Sequence, residues 1–342
     1  MTRNTQKGFS LVEVIISAAI FMVLVVVVSS LAITGSDAQD LGRRISKMTE
    51  VAQEVADDIR LQMVSSARVF GNDTSGRAMM GILDLGAAPT PAGVRRLPTI
   101  DQDGPFRQDT LGDEITGNTI LFAYLAWRDR YRCISGKDYL VDVYRMVHYY
   151  MSPADGGPGP NVRGGLDLVH FVSEPLADGD AINNITDPID RAELLLHLHD
   201  STPDAEGRAR DPVQVVWLRA GEPDAVGTLR QIDDNDGSLS DDVLPATGRP
   251  DPWQILPSAD GVARLLAFRR ASVASNFDVT APGLSRFAVR DDANGFPHGL
   301  EFQVIGPTAA RQMLLHLVLV DTARKGQPAW SQMQTIITAH DR

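Results

Sequence analysis

The sequence predicts an α+β protein in which one long N-terminal helix packs on an antiparallel β-rich domain with two sheets. Three observations carry this reading. Val14 to Ile33 is a run without charge or proline. Leu41, Ile45, Met48, Ala52, Val55 and Ile59 then recur at spacings of three and four, the period of an amphipathic helix. From about residue 119 onward the periodicity changes to short β-branched and aromatic runs separated by Gly, Pro and Asp clusters, the pattern of strands following a helix rather than alternating with helices.

Each element follows in chain order. At about 1.5 Å per residue, the run from Val14 to Ile33 spans roughly 30 Å, the thickness of a bilayer's hydrocarbon. Arg3 and Lys7 precede it with no acidic residue among them, which sets the N-terminus in the cytoplasm and the long C-terminal part outside it. Gly35 and Gly42 loosen the helix, and the amphipathic segment 41–69 then carries it to a stop before Gly71-Asn72-Asp73. An uninterrupted helix over 9–70 would be roughly 90 Å long; a membrane helix followed by a separate packed helix is the other arrangement, and the two differ only around Gly35 to Gly42.

Within 71–342 the strand signals are Thr119 to Trp127, Leu140 to Met151, Leu166 to Ser173, Glu193 to His199, Val213 to Arg219, Val262 to Arg270, Phe287 to Arg290, Leu300 to Ile305 and Arg311 to Asp321. The second and third flank residues 151–161 as a hairpin with an exposed tip. Arg311 to Asp321 is apolar on both faces, as a central strand is. Met79 to Leu85 and Val94 to Ile100 read as strands or loop anchors, 101–105 as a turn, 176–191 as polar turns, 220–258 as an acidic loop, and the tail after Arg324 as marginal. The aromatic middle, Trp127, Tyr131, Tyr139, Tyr144, Tyr149 and Tyr150, is expected to pack the sheet against the N-terminal helix.

The composition narrows the function. A net charge of −12 argues against nucleic acid as a principal ligand, because phosphate binding needs clustered Lys and Arg. Cys133 is the only cysteine; it excludes an intramolecular disulfide and reads as a buried thiol. No nucleophile elbow, zincin helix, Walker loop or dinucleotide fingerprint is present. Asp138, Asp142 and Asp167 can be paired on paper with Ser135 or His170, but nothing orients such groups.

Metal motifs are weak. With Gly237 as the sixth position of a calcium loop, Asp236 and Asp234 fall on the fifth and third, but Ile232 holds the first and Val243 the twelfth, so the full motif fails. Asp234 and Asp236 remain weak candidates for an irregular calcium site, alongside Asp233, Asp241 and Asp242. His197 and His199 would share one face of a strand and begin a zinc site, with His148, His170 or His316 as a third ligand by residue type alone.

Glu13 does not suit a plain membrane anchor, since a carboxylate at the edge of hydrocarbon needs a partner or a route to water. A secretory signal peptide explains the stretch poorly: the apolar run is too long, and Ala32, Gly35 and Ser36 form only a loose cleavage site. Lys7-Gly8-Phe9-Ser10-Leu11-Val12-Glu13-Val14 instead resembles the leader junction of the type IV prepilin and pseudopilin family. The resemblance implies an 8-residue leader over 1–8, cleavage by prepilin peptidase between Gly8 and Phe9, and N-methylation of Phe9. It also implies a pilin-like fold, with the membrane segment at 14–33 and an extracytoplasmic domain over 71–342.

Some pseudopilins bind calcium, which bears on the acidic loop. The implied role is a minor pilin or minor pseudopilin, most like a large minor pilin or pseudopilin J of type II secretion; Glu13 counts against pseudopilin K. Such a protein is a structural subunit without turnover. Its expected partners are prepilin peptidase, other minor pilins or pseudopilins, the inner-membrane assembly platform and membrane lipid, in the inner membrane with its globular domain in the periplasm. A filament-tip adhesin and a membrane-anchored extracytoplasmic enzyme are the alternatives. Glu13 lies one turn from the Phe9 amine that cleavage would create, and pairing with that amine on a neighbouring subunit would select subunit register.

Overall fold

A computed structural model describes residues 10–82, 89–91, 94–107, 115–153, 166–178, 182, 185–202, 211–216, 229–232, 239–243, 266–273, 299–321 and 329–339. Its first element is a single helix, α1 (Leu11–Val64), of 54 residues, about 80 Å long. It runs through Gly35 and Gly42 without interruption, so the unbroken arrangement is the one observed. Its first half is bare: Leu11 is 77% and Ile33 63% exposed, and the apolar side chains between them are exposed throughout. Its second half buries Met48, Ala52, Val55, Ala56, Ile59 and Met63 along one stripe. Leu41 is partly buried at the edge of this packing, whereas Ile45, expected on the same stripe, is exposed.

The helix ends earlier than its periodicity suggests. Residues 66–70 form a strand, β1 (Ser66–Phe70), antiparallel to β3 (Ile120–Arg132). Val69 and Phe70 then point to opposite faces of the sheet and enter separate cores, burial that a further helical turn would forfeit. A short helix follows, α2 (Thr74–Ile82), where a strand or loop anchor was expected. Asp73 starts it by accepting the Gly76 N–H at 2.7 Å, the bond of an N-cap, and Met79 is buried beneath it. Asp101 closes the expected turn by accepting the Gly104 N–H at 2.9 Å.

The remaining strands are β2 (Ile100–Asp101), β4 (Asp138–Pro153), β5 (Leu166–Val172), β6 (Leu176–Asp178), β7 (Gln214–Val216), β8 (Leu229–Ile232), β9 (Leu239–Val243), β10 (Leu266–Val273), β11 (Leu300–Ile305), β12 (Arg311–Asp321) and β13 (Ala329–Ala339), with α3 (Pro188–His199) between β6 and β7. Their main order is β1-β3-β4-β5-β10-β12-β11-β2. The 16-residue β4 is the hub. Its C-terminal half pairs with β5 in the expected hairpin, while its N-terminal half carries a second sheet region through β8–β9 and β6–β7. The sheets are antiparallel except for β2–β11 and β6–β7.

β12 is central as expected, flanked by β11 and β13 and touched by β10. The tail is a correction: β13 pairs with the whole of β12 and lies along α1, where the Thr49 and Ser331 hydroxyls are 3.0 Å apart. Two further corrections fall between residues 190 and 258. Residues 193–199 are helix, part of α3, because Asp187 caps and Pro188 starts a turn that places Leu194 and Leu198 inward at helical spacing. The stretch expected as an acidic loop contains β8 and β9. β10 also extends to Val273, past the expected end at Arg270. The strand expected at Phe287 to Arg290 and the hairpin tip lie outside the described residues.

Alternation along the strands divides the interior into three cores. Ile120, Phe122, Val147, Tyr149, Leu168, Phe302, Leu315 and Leu317 face α1. On the reverse side, Phe70, Met79, Leu121, Tyr150 and Phe171 form a second cluster. Tyr139, Val141, Val143, Leu194 and Leu198 form a third, under α3. The aromatic middle therefore does not act as one layer. Only Tyr149 of the six packs with α1; Tyr144 and Tyr150 face the reverse side, and Trp127, Tyr131 and Tyr139 lie with α3.

His148 is fully buried on the side of the second cluster, its ring 4.8 Å from that of Tyr150 and 6.2 Å from that of Phe171. The Thr119 hydroxyl donates to the Tyr149 carbonyl at 2.8 Å, so it accepts from the His148 Nε2–H at 2.6 Å. Burial, and then the nearby Arg95 guanidinium, pull the imidazole down to about 3 from 6.5. Folding thus excludes a proton that the unfolded chain binds below 6.5, and stability falls as pH drops from 6.5 towards 3, by about 1.4 kcal/mol per pH unit from this group. Urea midpoints measured between pH 7 and 4 should fall less steeply for His148→Leu than for the wild type. In a second test, Met63→Ala, which empties a fully buried site under the sheet, should cost about 2–5 kcal/mol in the same titration.

Candidate assembly site

The N-terminal end of α1 is built on Ser10 and Glu13. Ser10 is the N-cap, and its hydroxyl accepts the Glu13 backbone N–H at 3.3 Å. Glu13 reaches back: its Oε2 accepts from the Ser10 backbone N–H at 2.9 Å and from the Ser10 hydroxyl at 3.1 Å. This is a reciprocal capping box, which satisfies two of the donors a helix start leaves over. The carboxylate that sits awkwardly at the head of an apolar run is therefore held by its own chain. Both Ser10 donors converge on Oε2, so Oε1 takes no part in the capping box of this exposed group. Gly8 and Phe9 lie outside the described residues.

Beyond this box, α1 offers an apolar surface in every direction. Val14, Ile15, Ile16, Ile20, Phe21, Leu24, Val28 and Leu31 are all exposed, and no face of this half is covered by the rest of the described chain. Polar side chains in this half bond locally: Thr34 donates to the Ser30 carbonyl at 2.9 Å, so a hydroxyl that would be costly in hydrocarbon finds an acceptor. A helix apolar on all sides is stable only where something other than water surrounds it. It is the one described helix long and apolar enough to cross a membrane.

The other candidate groups are dispersed. His197 bonds Asp129 at 3.1 Å and stacks on Tyr131, while His199 is exposed. Residues two apart diverge on a helix, so the zinc pair expected of a strand does not form. His170 stacks on Tyr149, His316 bonds Glu301 at 2.7 Å, and His148 is enclosed, each in a different place. Asp138 and Asp142 pair with Arg130 and Arg128, not with Ser135 or His170. Asp233, Asp234 and Asp236 lie outside the described residues, and nothing is described of the side chains of Asp241 and Asp242 in β9. A cleft lined by Arg68, Asn72, Asp73, Thr99, Gln102 and Arg311 holds no histidine or cysteine among its described lining residues.

Sequence reasoning found Glu13 but missed its capping partner. The signal was present as Ser10 followed three residues later by Glu13 at the head of an apolar run.

Comparison with known proteins agrees at this end of the chain. Residues 3–29 match the family model described as the prokaryotic N-terminal methylation motif. No curated protein and no solved structure matches the chain. The motif indicates a type IV pilin-like N-terminus and implies processing by prepilin peptidase and assembly with other pilins; the same segment is a candidate membrane anchor. Such a motif suggests a structural protein rather than an enzyme.

Proposed function

We propose that the chain is a minor pilin or minor pseudopilin, a structural subunit that initiates or caps a type IV pilus or a type II secretion pseudopilus. The observation that carries this reading is the bare apolar half of α1, headed by the single carboxylate of Glu13 and in register with the methylation motif. In this reading residues 1–8 are a leader removed between Gly8 and Phe9, Phe9 is N-methylated, and 14–33 span the inner membrane. The N-terminus is cytoplasmic, and the sheet domain stands in the periplasm.

The same segment serves two environments. Before assembly, lipid surrounds it; after assembly, the equivalent helices of related subunits do. Methylation leaves the Phe9 amine cationic, and a neighbour's amine can bond Glu13 Oε1 while Oε2 stays in the capping box. An unpaired carboxylate in that dry setting is strongly disfavoured, so the pair sets subunit register. The size of the sheet domain supports a tip or initiation position, since repeating it at every step of a tight fibre would crowd neighbours.

Glu13→Ala in the full chain, expressed with its assembly system, should leave leader cleavage intact and reduce recovery in the assembled fraction roughly tenfold or more. Undiminished assembly of a cleaved Glu13→Ala chain would refute the register role.

A further inference from the structure

We propose that the β3–β4 turn and the first turns of α3 form a site for a zinc-type divalent cation, with Cys133, Asp190 and Glu193 as its ligands. The turn is tight: the Cys133 N–H bonds the Lys137 carbonyl and the Gly136 N–H the Cys133 carbonyl, both at 2.9 Å, with Gly136 at φ +91°. It directs the buried Cys133 side chain towards α3. Asp190 and Glu193 are three residues apart and share the helix face that meets it. The Cys133 Sγ, one Asp190 oxygen and one Glu193 oxygen lie within 4.8 Å of one another. Bonds of 2.0–2.3 Å in a tetrahedron set ligand separations of about 3.3–3.8 Å, so closure needs roughly an ångström of side-chain movement, within reach of the partly exposed Glu193.

Two features point to a ligand beyond the meeting of the three groups. The first is an orphan. Asp190 is wholly buried, and its Oδ1 is closed off from solvent without accepting a hydrogen bond; such an atom is expensive unless something fills its lone pairs. The second is that both carboxylates are already oriented by neighbouring donors. Tyr139 donates to Asp190 Oδ2 at 3.1 Å, with the Lys137 ammonium at 3.5 Å from it, and the Ile134 N–H donates to Glu193 Oε2 at 2.9 Å. Outer-shell donors that hold a carboxylate in place are the usual support of a ligating group.

The donor set selects the metal. A thiolate with two carboxylates suits zinc, whereas calcium and magnesium take oxygen alone. Three anionic ligands and the Lys137 cation sum to a charge of −2, which a divalent ion neutralises. Without metal, burial first and then the two carboxylates push the Cys133 thiol up to about 11. Metal binding reverses this: the S–H proton passes to solvent as the metal–sulfur bond forms. The result is a staple between a hairpin turn and a helix, in a chain whose single cysteine rules out an internal disulfide.

The test uses the full chain in detergent, stripped with a chelator and titrated with Co²⁺, then Zn²⁺. One Co²⁺ per chain with a thiolate-to-cobalt charge-transfer band, displaced by Zn²⁺, is the expected result. Cys133→Ser should abolish the band, and Glu193→Gln, at a partly exposed position, should weaken binding about tenfold or more while retaining the wild-type circular dichroism. Failure to take up either ion, uptake without the band, or equal affinity in wild type and Glu193→Gln would overturn the site.

Discussion

The structure depends on one helix having to satisfy two surroundings at once. Over its first half α1 has no polar face and no cover from the described chain; over its second half it has a narrow apolar stripe that closes the largest core. Because the backbone hydrogen bonds run unbroken through Gly35 and Gly42, the two halves are mechanically one rod. Whatever holds the first half therefore sets the position of the sheet domain. This constraint explains why Glu13 is tied into a capping box rather than left loose. At the rim of an apolar segment every unsatisfied group is costly, and Ser10 removes two such costs with one residue.

The sheet is arranged around the stripe. Alternation on β3, β4 and β5 turns one set of side chains to α1 and the other to a second core, while β11 and β12 add Leu300, Phe302, Leu315 and Leu317 to the α1 side. β4 is long enough to serve both the main sheet and the region that carries α3. Its two ends have different neighbours: Tyr149 stacks on His170 beneath α1, and Tyr139 bonds Asp190 beneath α3. The fold thus separates the end dominated by α1 from the β3–β4 turn that meets α3.

Much of this was legible from residue patterns, and the misses have physical causes. The apolar run, the helical stripe, the β4–β5 hairpin and the central position of β12 follow from periodicity alone. Residues 193–199 mislead because Leu194, Leu196 and Leu198 also alternate like a strand; the deciding signal is Asp187-Pro188, which fixes a helix start upstream. The end of α1 was set too late because Val69 and Phe70 continue an apolar pattern, and only pairing with β3 shows that they belong to a strand. β13 carries a weak local signal, as its buried residues are few and its stability comes from β12. The Cys133–Asp190–Glu193 meeting had no sequence signature, since it needs both the turn and the corrected helix. At the N-terminus the reverse holds: the methylation motif over residues 3–29 and the Ser10–Glu13 box are local in sequence, so their signals lie within a few residues of one another.

The measurement that bears most directly on the account is the intact mass and N-terminal sequence of the protein recovered from membranes, with and without active prepilin peptidase. The account predicts a mature chain beginning at methylated Phe9 when the peptidase is active, and a chain retaining Met1 when it is not. A chain that keeps Met1 in the presence of the active enzyme, or one cut near Ala32 to Ser36, would contradict it.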